Sequence, residues 1–174
     1  MSDNYDELYK LAVKAYKNRN YVTSYNHFLT VAKSKCRNAD DAKYYLAKQH
    51  EMNLIPEFAK TYNTTFDLYK QVSNSQSEFK YLAKNWLAQY YDKNNEYQQA
   101  FELYLDIYIG RPKIFQGTNL LLAERIKNNK DLYNNGRGYK DFAITKLIEC
   151  YKDGIGVSKD EEKAFKLTKE SLNK

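Results

Sequence analysis

Two histidines and two cysteines are the side chains with the most chemistry to offer in this chain of 174 residues. A structural zinc site needs four such ligands at short, regular spacings. His27, His50, Cys36 and Cys150 are too widely scattered for that, and their spacing suggests neither a Ser-His-Asp nor a Cys-His arrangement. His50 falls on the apolar face of a helical segment, where a packed imidazole is expected. His27 sits at the edge of the stripe that carries Phe28. Cys36 and Cys150 lie in different segments and are expected to be reduced thiols. Gly154 and Gly156 stand between two helical segments, whereas a dinucleotide loop follows a strand. Gly136-Arg137-Gly138 is too short to cradle a phosphate by itself. These residues predict a non-enzymatic protein with no cofactor, no metal and no small-molecule substrate.

The elements that position these residues are marked by a repeated dipeptide. Leu11-Ala12, Leu46-Ala47, Leu87-Ala88 and Leu122-Ala123 are separated by 35, 41 and 35 residues. Self-similarity at that period marks an array of helical hairpins. Low Gly and Pro (6 and 2 residues) suit helices, and 18 Tyr supply rings with wettable tips. Apolar spacing predicts hairpins over 3–35, 39–73, 77–110 and 139–173, within one domain. In the second hairpin the stripe reads Phe58, Ala59, Tyr62, Phe66 and Tyr69, with Pro56 in the first turn. Ser75 with Glu78, and Ser158 with Glu161, have capping-box spacing. The pattern fails over 113–138. A helix is expected from about 114 to 127, followed by a polar loop with two glycines over 128–138.

The charge is uneven. Residues 111–146 hold eight basic side chains against three acidic ones, which is five of the six net positive charges. Arg111, Lys113, Arg125, Lys130, Arg137 and Lys140 form a candidate basic patch there. Such a cluster suits an acidic partner or a phosphate backbone, with Tyr133 or Tyr139 stacking on bases. No apolar run approaches the ~20 residues of a membrane span. The start, MSDNYDELYK, has no leader pattern, so a soluble, cytoplasmic protein without membrane contact is expected.

Ala143, Leu147, Tyr151, Gly154, Gly156, Val157, Asp160, Lys163 and Ala164 follow one another at the spacing of a Sel-one-like repeat, which this segment resembles. Ile148 and Glu170-Ser171 depart from that pattern, at positions where the family usually has small residues. Residues 80–112 are similar to a plain tetratricopeptide repeat through Leu87, Ala88, Tyr91, Tyr97, Ala100, Tyr104 and Pro112. The first hairpin matches through Leu11, Ala12, Tyr21, Ser24 and Phe28. The second matches only in its first helix and has a longer link. The resemblance implies an all-α fold, an α-solenoid of four antiparallel helix pairs wound as a right-handed superhelix. It also implies a concave groove lined by each pair's first helix. In this register the groove residues are Tyr9, Val13, Tyr16, Tyr44, Lys48, Asn85, Gln89, Glu124 and Lys127. Some family members clamp the carboxylate tail of chaperones with basic and amide side chains. The corresponding positions here hold Tyr9, Val13, Tyr45, Leu82 and Trp86, which cannot do so. The leading expectation is an adaptor or scaffold that binds another protein. The alternatives are RNA binding through residues 111–140 and a subunit of a larger complex with no activity alone.

Overall fold

The structure, a computed structural model, describes residues 2–55, 62–109 and 130–172. The described residues form eight helices and no strand. They are α1 (Ser2–Lys17), α2 (Tyr21–Ala32), α3 (Ala39–Glu51), α4 (Tyr62–Ser73), α5 (Lys80–Lys93), α6 (Tyr97–Ile109), α7 (Lys130–Asp153) and α8 (Glu161–Leu172). Each pair α1–α2, α3–α4 and α7–α8 packs together, and successive pairs meet through α2 on α3 and α6 on α7. The chain divides into two compact units, Met1–Ala83 and Lys84–Lys174, with the boundary inside α5.

The first helix of every pair ends in the same way. The backbone turns left-handed at Arg19, Asn53, Asn95 and Gly154, with φ of 60°, 49°, 61° and 73°. The next residue then donates its N–H five residues back. Asn20 reaches Ala15 O at 2.9 Å, Leu54 reaches Gln49 O at 3.0 Å, Glu96 reaches Tyr91 O at 2.9 Å and Ile155 reaches Cys150 O at 3.1 Å. This hydrogen bond satisfies a helix-end carbonyl that would otherwise lack a partner.

The second helices α2, α4 and α6 share a buried triad at i, i+4 and i+7, one face of a helix. It reads Ser24, Phe28 and Val31 in α2, Thr65, Tyr69 and Val72 in α4, and Ala100, Tyr104 and Ile107 in α6. The ends of α2 and α4 also correspond. Ser34 Oγ donates to Val31 O at 2.7 Å and accepts from Cys36 N at 3.2 Å. Ser75 Oγ donates to Val72 O at 2.8 Å and accepts from Ser77 N at 3.0 Å. The second hairpin therefore repeats the first in the buried face and the end of its second helix. Its buried face is Thr65, Tyr69 and Val72 with Phe66 only half-buried, while Phe58 and Ala59 lie outside the described residues.

Other expectations are corrected locally. Ala12, Ala47 and Ala88 are fully buried, and so, nearly, are Leu46 and Leu87, but Leu11 is 53% exposed, so the first copy of the dipeptide marks one buried position and not two. Leu122-Ala123 and the expected helix over 114–127 lie outside the described residues. The segment expected as a loop is helical from Lys130, through Gly136 and Gly138. Extending a helix that is already nucleated adds one hydrogen bond per residue fixed, which offsets the ~1 kcal/mol that each interior Gly costs. Capping contacts fall on the neighbouring residues Ser77 and Asp160. Ser75 and Ser77 instead serve the link before α5, where Ser77 Oγ accepts from Phe79 N at 3.0 Å. Asp160 caps α8, accepting from Lys163 N at 2.9 Å.

Candidate binding surface

In the first unit the aromatic residues of α1 and α3 form one ring cluster. Phe28 stacks on Tyr45 at 4.6 Å, and Tyr44 stacks on Phe79 at 4.2 Å. Tyr45 also meets Tyr9 at 6.4 Å, Tyr16 at 5.3 Å and Phe79 at 5.3 Å, all edge-on. Tyr9 and Tyr44 are buried in this cluster. Their rings are core, so the expectation that they line an open groove is corrected. Periodicity places a residue on a helix face. It does not say whether a neighbouring helix covers that face. Val13, Tyr16 and Lys48 are half-exposed and remain on the first-helix surface of this unit.

In the second unit Asn85 and Gln89 are half-exposed on α5. Beside them Trp86 and Tyr90 stack at 5.7 Å with their planes 15° apart, and both are half-exposed. Sequence reasoning passed over this pair, although its i, i+4 spacing was visible. Glu124 and Lys127 lie outside the described residues. So do Arg111, Lys113 and Arg125 of the basic patch, and the side chains of Lys130 and Arg137. Lys140 is half-exposed. Lys146, part of the same positive excess, lies 3.4 Å from Asp92 and 3.2 Å from Glu149. It is thus neutralised locally. Lys84 is buried and paired with Asp106, which ties α5 to α6.

The side chains with chemical potential are held in structural roles. His50 lies 3.3 Å from the Tyr25 hydroxyl, and burial lowers its pKa. Tyr69 donates to Glu51 at 2.7 Å, and burial, then the Glu51 charge, pushes its hydroxyl far up. Among the described residues no group of three His, Cys, Asp or Glu could hold a metal. Both cysteines are free. Cys36 is half-exposed, whereas Cys150 is buried and its thiol is pushed up to about 11 by burial and by Asp92.

That contrast gives a direct expectation. At pH 8 a thiol of pKa near 11 is roughly one part in a thousand thiolate, the reactive form. Iodoacetamide should add one group to the native protein, at Cys36, and a second only in denaturant. Intact mass with peptide mapping reads this out, and rapid double labelling of the native protein would contradict the buried thiol.

No protein-family model matches the sequence, and no curated protein shows a significant match to it. No helix among the described residues is long and apolar enough to cross a membrane.

Proposed function

We propose that this protein is a non-enzymatic adaptor or scaffold subunit, a helical-repeat protein of the tetratricopeptide and Sel-one-like kind, working in the cytoplasm by binding another protein. The observation that carries this reading is the half-exposed Trp86–Tyr90 stack on α5, flanked by the amides of Asn85 and Gln89. Trp and Tyr are the residues that most often dominate binding energy, and a rigid stacked pair loses little entropy when it docks. In the first unit Val13, Tyr16 and Lys48 offer a similar mix of apolar and polar contact. Support for the family comes from the recurring left-handed helix end and the buried triad described above. The pairing of Lys146 with Asp92 and Glu149 lowers the weight of a phosphate-binding reading.

The test is affinity purification from native cells followed by titration of the recovered partner. Trp86→Ala should weaken binding by about 1–2 kcal/mol, roughly tenfold, and Tyr90→Ala by a smaller factor. Circular dichroism should show the fold intact, since both side chains are half-exposed. Unchanged affinity in both variants would remove this surface from the proposal. Recovery of RNA with a steep salt dependence would favour the phosphate-binding alternative.

A further inference from the structure

The second helices α2 and α6 present the same position to the first helix of the next pair. It is the residue after the buried small residue of the first turn. In α2 this is Tyr25, after Ser24, and it meets His50 edge-on at 5.5 Å. In α6 it is Phe101, after Ala100, and it meets Tyr151 edge-on at 5.4 Å. His50 and Tyr151 both stand three residues before the left-handed residue that ends their helix. In α8 the corresponding residue is Phe165, after the buried Ala164. The N–H of Ala164 reaches Asp160 O at 3.1 Å, as that of Ala100 reaches Glu96 O at 3.2 Å. Phe101 is 8% exposed and Phe165 is 71% exposed. Leu172, two turns further along α8, is exposed as well.

The complementary face exists on α1. Tyr16 stands three residues before left-handed Arg19, where α3 has His50 and α7 has Tyr151. Leu11 stands eight before Arg19. In α3 that place is taken by Tyr45, which stacks on Phe28 of the preceding pair. Leu11 is the exposed residue that broke the dipeptide pattern. The charges also match in an antiparallel approach, the direction in which α2 meets α3. Glu161 and Glu162 open α8 and would face Lys14 and Lys17 in the last turn of α1. Lys169, in the last turn of α8, would face the exposed Glu7.

We propose that the exposed strip Phe165–Leu172 of α8 docks on the Leu11–Tyr16 face of α1 in a second copy of this chain, continuing the contact that α2 makes with α3. Such an interface is heterologous, since two different faces meet. It is independent of the α5 surface proposed above for a partner protein, but it shares Tyr16 with the first-unit surface, where one edge of that ring already meets Tyr21 and Tyr45. Sedimentation velocity on the purified 174-residue chain tests it, from about 5 to about 500 μM, the range expected of a small interface. The mean mass should rise with concentration, and salt should weaken the association. Phe165→Glu and Leu11→Glu should each be monomeric, because both faces are required. Glu keeps helix propensity at these exposed sites, and circular dichroism checks that the fold holds. An equimolar mixture of the two variants should recover a dimer, since one supplies an intact α8 strip and the other an intact α1 face. The milder Phe165→Ala and Leu11→Ala should weaken association without abolishing it. A wild-type chain that stays monomeric throughout overturns the proposal. So does continued association of Leu11→Glu, which would show α8 pairing with itself, or a mixture that stays monomeric.

Discussion

Gly156→Ala is expected to destabilise the second unit by about 3 kcal/mol or more. Two independent costs combine. Gly156 has φ of +71°, where an L side chain pays ~1–2 kcal/mol. A Cβ there would also lie 2.4 Å from Tyr97 O and 2.5 Å from Tyr97 C, inside contact distance of backbone that cannot rotate away. The link after α7 would have to lift off the start of α6. Gly154 provides the control. It has φ of +73°, but a Cβ there meets nothing closer than 3.6 Å. Asn53 and Asn95 already hold the equivalent position, so Gly154→Asn should cost less than about 1 kcal/mol. Urea unfolding followed by the fluorescence of Trp86, which lies in the same unit, reads both variants. Equal midpoints for Gly156→Ala and the parent chain would show that the approach to Tyr97 is not as close as described.

Phe28→Ala is the second large effect, at about 3–5 kcal/mol. Phe28 is fully buried, stacks on Tyr45 and meets Tyr9 edge-on at 5.9 Å. Its removal leaves a cavity among rings that are already fixed by other neighbours. Tyr45 touches Tyr9, Tyr16, Tyr44 and Phe79, so it cannot swing to fill the space. Phe28→Leu should recover more than half of the loss by restoring volume, though not the ring stack. Phe165→Ala changes the same residue type at an exposed site and should stay within about 0.5 kcal/mol. The ordering Phe28→Ala, Phe28→Leu, Phe165→Ala in denaturant midpoint is the measured quantity. A Phe28→Ala midpoint close to that of Phe165→Ala would mean the ring cluster does not hold the first unit together.

Helical periodicity was readable wherever one face is buried and the other is wet. That is why α1, α2, α3, α5 and α6 fall near their expected places. The second helix of the second hairpin is less legible because its buried triad begins with Thr65, a polar residue that hydropathy does not flag; of the expected stripe, Tyr69 is buried and Phe66 half-buried. Ser24, equally polar, falls on the expected stripe of α2 and is buried there, hydrogen-bonded to Gln49 at 3.5 Å. Over 130–138, composition argued for a loop, yet the chain is helical because it continues into the strongly patterned segment around Ala143 and Leu147. On the candidate surface, the family resemblance implied first-helix faces for Val13, Tyr16, Lys48, Asn85 and Gln89, which are half-exposed. Tyr9 and Tyr44 shared those faces and are buried, a difference spacing does not carry.

The order of residues was enough to specify paired helices and the need for glycine near 154–156, because each depends on contacts within one turn or one hairpin. Folding alone settled which rings became core, that Leu11 and Phe165 stay bare, and that Gly156 must admit the backbone of a residue far earlier in the chain. Those outcomes depend on which helix lies against which. A local pattern names a face, but only the approach of a second helix determines whether that face is covered.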